Sequence, residues 1–199
     1  MDKKWEILIA DEQKAKPYRE KVTEIAEGLV KHPGDSTKTN IGLMGGKIGI
    51  ALFYFYYAKF MGEDKYADHG VELISEIFDE INKDFTYHTH AGGLAGIGWS
   101  IEHLAQNDLI DTDTNEVLED LDPYLHKAMI YDIQNGNYDF LHGAGQIGVY
   151  FLSRKNQEKS KEFLKELIDE LDKNSHKDEH GARKWLSTLN IEDGTKGYN

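Results

Sequence analysis

The sequence predicts an all-α protein built as an incomplete α/α toroid, with about half a ring of paired inner and outer helices. Three stretches begin with closely spaced glycines and continue as apolar segments long enough for a helix. Gly46, Gly93 and Gly145 mark these starts and lie 47 and 52 residues apart. An amphipathic segment follows each start, and self-similarity at such a period is typical of repeat architectures. Alternating apolar and amphipathic helices pack as two concentric layers.

The chain begins with a short strand or irregular arm over residues 1–11 and continues as alternating outer and inner helices. The predicted helices are 14–31, 46–61, 64–82, 93–106, 111–129, 143–153 and 155–173. Residues 53–57 surround the first inner helix with aromatic side chains, and a helix that is apolar on all sides is buried. In outer helices such as 64–82, the apolar residues recur on one face. We expect Pro123 to mark a kink or a late helix start, and residues 173–181 to form a polar loop.

Length and composition limit the kinds of partner. With 199 residues the chain is long enough for one domain, which we take to span residues 1–199. Its net charge of -13 argues against nucleic acid and anionic membranes as partners, because both favour a basic surface. The most apolar window, residues 48–61, carries Lys59 and is shorter than the roughly 20 residues that span a bilayer. Because no targeting segment is visible, we expect a cytoplasmic protein.

Candidate metal ligands are few in this sequence. There is no cysteine, so disulfides, thiolate metal sites and a cysteine nucleophile are excluded within these residues. His88 and His90 form an H-x-H pattern, a spacing that can hold a metal from a strand. Without a third acidic residue or cysteine nearby, we interpret the two histidines as loop residues. We therefore predict no metal and no cofactor for the chain itself.

Glycine at the start of three helices needs a physical reason, because it costs about 1 kcal/mol relative to alanine inside a helix. Glycine allows backbones to approach closely where the inner helices converge. We interpret the glycines mainly as relief of that crowding. A second use stays open, because helix N-termini directed at one centre would favour an anion there.

These motifs resemble the lanthionine synthetase C-like proteins, the family of the LanC cyclases. A G-x-x-G pattern followed by an apolar helix occurs in Gly46 to Phe53 and in Gly93 to Ile97, and a related pattern in Asp139 to Gly148. The resemblance covers the chain from about residue 40 onward. It implies an α/α toroid that closes thioether rings in ribosomally made peptides, by adding a cysteine thiol to a dehydrated serine or threonine.

The resemblance also implies a zinc ion that binds the peptide thiol as a thiolate. In the family, two cysteines and a histidine in the second half of the ring hold this zinc, and this chain has no cysteine. We therefore expect the chain to cover the N-terminal half of a lanthionine-cyclase-like protein and to be inactive by itself. A natural half-length relative without zinc is the alternative. Zinc and a peptide substrate are expected for the full-length protein.

Asp139 and His142 are the candidate catalytic residues. In the family, an aspartate four residues before a glycine precedes the third inner helix and assists proton transfer, and Asp139 before Gly143 occupies that position. The second glycine of the motif falls on Gln146 in this chain. Asp139 also suits a helix N-cap. His142, near the same helix start, either faces the ring centre or is a packed polar group.

Two other functions stay open at this point. A glycan-active α/α-toroid enzyme would need two carboxylates at the axis, and Asp139 is the evident candidate for one of them. A non-catalytic helical-repeat module would hold a peptide on the concave face of the arc. An open half-ring leaves apolar flanks on its first and last helices, so we also expect self-association.

Overall fold

The computed structural model describes residues 8–31 and 40–186, and within these ranges the chain is almost entirely helical. The helices are α1 (Glu12–Lys31), α2 (Lys47–Met61), α3 (Lys65–Ile81), α4 (Leu94–Gln106), α5 (Thr114–Val117), α6 (Leu121–Gln134), α7 (Ala144–Ser153) and α8 (Glu158–Lys173). A ribbon of two antiparallel strands follows, β1 (His176–Lys177) and β2 (Arg183–Lys184). The predicted all-α fold class is confirmed.

Three apolar helices, α2, α4 and α7, form the inner layer. α2 packs against α4 and α4 packs against α7, while α3 lies against α2, and α6 and α8 lie against α7. One buried isoleucine from each inner helix, Ile48, Ile97 and Ile147, belongs to the same continuous hydrophobic core. The outer helices contribute one apolar face each, so inner and outer helices alternate as predicted.

α2 is covered on two sides because its aromatic residues point in different directions. Phe55 packs in the main core. Tyr54 and Tyr57 face α1, where the Tyr54 hydroxyl donates to the carbonyl of Ala26 at 3.3 Å and the Tyr57 hydroxyl donates to Oγ1 of Thr23 at 2.9 Å. The aromatic run therefore serves core packing, and α1 covers the side of α2 that the main core leaves open.

Each inner helix begins with the same backbone arrangement. The residue before the helix is a glycine in extended conformation, and these glycines are Gly46, Gly93 and Gly143. Because glycine has no side chain, no side-chain hydrogen bond caps the helix, and backbone carbonyls take that role. The first amide of each helix donates to the carbonyl seven positions earlier. The three pairs are Lys47 to Asn40 at 3.0 Å, Leu94 to Tyr87 at 2.8 Å and Ala144 to Asn137 at 3.2 Å. The repeat is thus visible in hydrogen bonds as well as in sequence.

The third repeat starts at Gly143, where the predicted helix 143–153 begins, and the choice of Gly145 as the repeat glycine was wrong by two residues. The spacings are therefore 47 and 50 residues rather than 47 and 52. A Cβ on Gly143 would lie 2.6 Å from the carbonyl oxygen of Asn137, whereas a Cβ on Gly145 would meet nothing closer than 3.3 Å. The backbone contact that requires glycine is therefore at Gly143, and the sequence pattern alone did not distinguish the two.

The segment between α4 and α7 differs from the prediction at its start. The predicted helix 111–129 is divided, because the one-turn α5 ends at Val117 and α6 begins at Leu121. Pro123 lies two residues after that start, so it marks a late helix start, which was one of the two predicted outcomes. The predicted loop 173–181 contains β1, which pairs with β2 just beyond it.

Some predicted features lie outside the described ranges. The arm predicted for residues 1–11 is described from residue 8, and residues 8–10 are non-helical before Asp11 caps α1 by accepting from the amide of Gln13 at 2.9 Å. Residues 1–7, 32–39 and 187–199 are not described. Within 8–31 and 40–186, no helix has both the length and the apolar character that crossing a membrane requires.

Candidate functional site

The turns that precede α2 and α4 are in direct contact. The amide of Met44 donates to the carbonyl of Ala91 at 2.7 Å. Gly42 lies so close to Gly92 that a Cβ on Gly42 would be 2.4 Å from the Cα of Gly92. A side chain on Gly42 would therefore push the two turns apart, whereas a Cβ on Gly92 would meet only the Tyr87 ring of its own turn, at 3.3 Å.

The turn that precedes α7 is connected to the same place through Asp132, at the end of α6. Oδ2 of Asp132 lies 3.1 Å from Nε2 of His88 in the second turn. The carbonyl of Asp132 accepts from the amide of Asn137 in the third turn at 2.8 Å. Asp132 is 5% exposed, so this is a buried bridge between two repeats. We call residues 40–46, 87–93 and 137–143 the turn end of the molecule.

The first and third turns each contain the same side-chain hydrogen bond. Asn40 and Asn137 occupy equivalent positions, and the side-chain amide of each donates to a carbonyl five residues ahead. The distances are 3.5 Å from Asn40 to Gly45 and 3.4 Å from Asn137 to His142. Because asparagine readily bonds to nearby backbone groups, these side chains hold the two turns in the same shape.

Asp139 and His142, the predicted catalytic residues, form a pair within the third turn. Oδ1 of Asp139 accepts from the backbone amides of Leu141 at 2.9 Å and His142 at 2.6 Å. The same oxygen lies 3.1 Å from Nδ1 of the His142 ring. Asp139 therefore caps the turn before α7, while Gly143 occupies the N-cap of the helix. The predicted N-cap role of Asp139 was wrong for this reason.

The charge state of Asp139 decides the tautomer of His142. Partial burial acts to raise the pKa of Asp139, but hydrogen bonds from the backbone amides of His142 and Leu141 and from the His142 ring outweigh it and hold that pKa below its ordinary value. The ionised carboxylate can only accept, so Nδ1 of His142 carries a proton. In the neutral ring, Nε2 is then the acceptor. The His142 side chain is 56% exposed, so a solute can reach it.

His88 and His90 do not converge on one point. His88 pairs with Asp132, whereas the ring of His90 lies 5.5 Å from that of Trp99, with Nε2 buried and without a hydrogen-bond partner. Burial lowers the pKa of His90. The H-x-H pattern thus serves two separate contacts, in line with the interpretation as loop residues.

Apolar side chains are exposed on all three turns. Met44 is 61% exposed, Tyr87 50%, Phe140 62% and Leu141 43%. Large apolar residues at such exposure cost solvation free energy and mark interaction surfaces when they lie together. The turn end therefore combines an Asp–His pair with apolar surface.

The first amides of the inner helices are not open to an anion. They donate to the carbonyls of the preceding turns, at 2.8 Å for Leu94 and 3.0 Å for Lys47. The interpretation of the helix starts as an anion site therefore gains no support from the structure. Relief of crowding, the alternative stated from the sequence, accounts for the glycines.

A buried charged cluster at the far ends of α4 and α7 was missed by the sequence analysis. Arg154 is 3% exposed and donates to Glu102 at 2.8 Å and to Asp122 at 3.2 Å. The Tyr150 hydroxyl donates to Asp122 at 2.5 Å, and burial, followed by the Asp122 charge, raises the pKa of Tyr150. The signal was present: Glu102 lies within the apolar face of a predicted inner helix, where a carboxylate needs a partner.

Apolar inner helices with glycine starts, amphipathic outer helices and an exposed Asp–His pair at one end define an α/α helical-repeat protein. The family described as lanthionine synthetase C-like protein matches residues 37–192. The chain belongs to this family, and its fold is that of the family's α/α toroid. A search of curated proteins finds no match.

The zinc centre that the family implies does not fit the residues of this chain. The sequence has no cysteine to serve as a thiolate ligand. In the part of the chain that the structure describes, no three His, Asp or Glu side chains converge as a metal would require. His88 and His142 are each engaged by an aspartate instead.

Proposed function

We propose that this chain is the N-terminal part of a lanthionine-cyclase-like protein and contributes peptide binding and proton transfer at the turn end. The observation that carries the proposal is the Asp139–His142 pair, 3.1 Å apart at the start of an inner helix. Asp139 lies four residues before Gly143, the spacing that the resemblance gives to the family's proton-transfer aspartate, and apolar side chains are exposed on all three turns. A cytoplasmic location and the lack of nucleic-acid and membrane partners stay predictions from charge and composition.

The reaction class defines what the pair would do. A cysteine thiol adds to the β-carbon of a dehydrated serine or threonine, so a carbon–sulfur bond forms, the carbon–carbon double bond is lost and the thiol proton is replaced by one on the α-carbon. Nε2 of His142 can accept one proton and return it, while Asp139 stabilises the imidazolium that forms in between. Such a step contributes typically 10²–10⁴-fold to a rate.

The proposal assigns this chain no part of the metal centre. Thiol activation by zinc would need ligands that the residues described here do not offer, and the chain by itself is expected to bind peptide without closing rings. The side chains that are exposed on turns 40–46, 87–93 and 137–143 would supply the contacts to the peptide.

A non-catalytic peptide-binding module is the second candidate. The exposure of Met44, Tyr87 and Phe140 favours it, since a binding module needs apolar surface but no proton transfer. The glycan-active alternative is not carried forward, because Asp132 and Asp139 are each paired with a histidine. Glycoside hydrolysis instead places two carboxylates across the scissile bond.

The test uses a peptide with one cysteine and one dehydroalanine, and the protein expressed from its complete coding sequence. Ring closure is followed by the loss of the free thiol, read as resistance to alkylation in a mass spectrum. The Asp139→Asn variant is expected to slow ring closure by about 10²-fold, with peptide affinity changed little. The matched control is Asp113→Asn, which alters a similar exposed turn cap before α5.

Three results separate the candidates. Ring closure that depends on Asp139 supports the cyclase-like function. Tight peptide binding without ring closure in any variant supports the binding module. Failure to bind the dehydrated peptide, or equal binding of a peptide that carries serine in place of dehydroalanine together with no ring closure, contradicts the cyclase-like proposal.

A further inference from the structure

A second histidine–aspartate pair lies at the turn end and has no role in the function proposed above. Nε2 of His88 is 3.1 Å from Oδ2 of Asp132, 44 positions further along the chain. Asp132 contributes a side chain that is 7% exposed, whereas the His88 side chain is 28% exposed. A buried carboxylate therefore orients a histidine that solvent still reaches, which is how functional side chains are commonly held in place.

The bond fixes the tautomer of His88. A carboxylate accepts and does not donate, so Nε2 of His88 carries the proton and Nδ1 is the acceptor of the neutral ring. His142 has the opposite arrangement, because its Nδ1 faces Asp139. Two histidines at the same end thus keep different nitrogens as acceptors.

Asp132 also fixes where His88 lies relative to the third turn. Its carbonyl accepts from the amide of Asn137 at 2.8 Å, and the Asn137 side chain donates to the carbonyl of His142 at 3.4 Å. A continuous set of hydrogen bonds therefore connects the two histidines through Asp132 and Asn137. Such a connection holds them at a constant separation.

We propose that His88, oriented by Asp132, is a second proton-accepting side chain of the same peptide site, which rests on the function proposed above. Asp132 acts as a positioning residue. Its buried carboxylate faces Nε2 of His88 and its carbonyl accepts from Asn137, so it holds the second and third turns together. The ligand is the same dehydrated, cysteine-containing peptide, which would contact Nδ1 of His88 and Nε2 of His142.

The first measurement is the tautomer of each histidine, from long-range proton–nitrogen NMR spectra of the ring at pH 7.5 or above. Nε2–H is expected for His88 and Nδ1–H for His142. In the Asp132→Asn variant the amide can both accept and donate, so a mixture of tautomers is expected at His88 while His142 keeps its own. Finding Nδ1–H at His88 in the unmodified protein overturns the inference.

The second measurement is acylation of the histidines by diethylpyrocarbonate, followed by mass spectrometry, with and without the peptide that carries one cysteine and one dehydroalanine. At a peptide concentration ten times its Kd, acylation of His88 and His142 is expected to slow about tenfold. His126 is the matched control, because it also pairs with a carboxylate, Glu166 at 2.7 Å, but on the outer helices. Its acylation rate is expected to stay the same.

The two ways of failing are distinguishable. Protection of His142 without protection of His88 overturns this inference and leaves the proposed function in place. Protection of neither histidine contradicts the proposed function itself. Protection of both, lost at His88 when Asp132 is changed to Asn, supports the inference.

Discussion

One oxygen of Asp139 accepts hydrogen bonds from three donors. These bonds fix the shape of the turn before α7 and stabilise the negative charge of the carboxylate. The amides of Leu141 and His142 and the ring of His142 all face Oδ1, between 2.6 and 3.1 Å away. Two backbone bonds fix the turn, and the third directs the imidazole. The same carboxylate therefore serves local structure and the proposed proton transfer, as helix-cap and turn aspartates can.

The pH dependence of stability tests this arrangement. The pKa of Asp139 is lower in the folded protein than its ordinary value, so its stabilising contribution is present above the unfolded value of about 3.9 and is lost as pH falls through the folded pKa. Asp139→Asn is expected to lower the free energy of unfolding by about 1 kcal/mol at pH 7.

The difference should shrink as pH falls below the unfolded value of about 3.9 and vanish once Asp139 is protonated in the folded protein as well, because both proteins are then uncharged at this position. Urea unfolding at pH 7, 5 and 3 measures it. A difference between the two proteins that stays constant over this range would contradict the ionised state of Asp139. Asp113→Asn is a suitable control, because Asp113 caps α5 through one amide, that of Asn115.

Among the helices, the recurring feature is a backbone cap that needs glycine at specific positions. The second glycine of each G-x-x-G motif abuts a carbonyl of the preceding turn: a Cβ on Gly96 would lie 1.9 Å from the oxygen of His90, and one on Gly49 would lie 2.2 Å from that of Leu43. These atoms are backbone and cannot move aside without changing the turn. In the third repeat Gln146 takes the equivalent position and is buried, so this second glycine is shared by the first two repeats only.

Glycine substitutions distinguish close contact from helix propensity. Gly96→Ala is expected to cost about 2–3 kcal/mol, because the added methyl overlaps the His90 carbonyl. Gly28→Ala, in α1, meets nothing within 4 Å and is expected to stabilise by about 1 kcal/mol. Gly145→Ala should fall between them. Chemical denaturation measures all three, and equal costs at Gly96 and Gly28 would contradict the packing of the turns.

Apolar periodicity predicted the helices well, because apolar residues recur regularly within each helix. It could not predict the contacts between repeats. The aromatic run of α2 and the stripe of α3 are local signals. The pairing of His88 with Asp132, and of Arg154 with Glu102 and Asp122, joins residues 32–52 positions apart, and no local pattern encodes such distances. A buried-face carboxylate such as Asp132 could have suggested a partner, but not which histidine.

In the molecule as a whole, the buried charged cluster around Arg154 lies at the end opposite the glycine turns. Arg154 donates to Glu102 on α4, to Asp122 on α6 and, at 3.1 Å, to the carbonyl of Thr114 on α5. One side chain that follows α7 therefore ties the second and third repeats together. The turn end exposes apolar side chains to solvent, whereas at the opposite end the charged side chains are buried and paired with one another.

Removal of Arg154 is expected to be costly. Arg154→Met would leave two buried carboxylates without their cation and should lower the free energy of unfolding by about 3–5 kcal/mol. Lys161→Met is the control, because its bond to Glu158 is on the surface and is expected to be worth at most about 1 kcal/mol. Similar losses in both variants would contradict a supporting role for the buried cluster.

Self-association stays a prediction of the open arc. Leu152 on α7 is 55% exposed and Ile168 on α8 is 64% exposed. We expect light scattering to show a mass above that of the 22.7 kDa chain that rises with concentration, and the double variant Leu152→Lys, Ile168→Lys to reduce it. A monomer over the whole concentration range would contradict the prediction.

Backbone amide NMR shifts on titration with the cysteine and dehydroalanine peptide show where the peptide binds. The function proposed here places the peptide against the three glycine turns, so the largest shifts are expected in residues 40–46, 87–93 and 137–143, with Glu102 and Arg154 unaffected. Shifts concentrated around Arg154, or no shifts at saturating peptide, would contradict it.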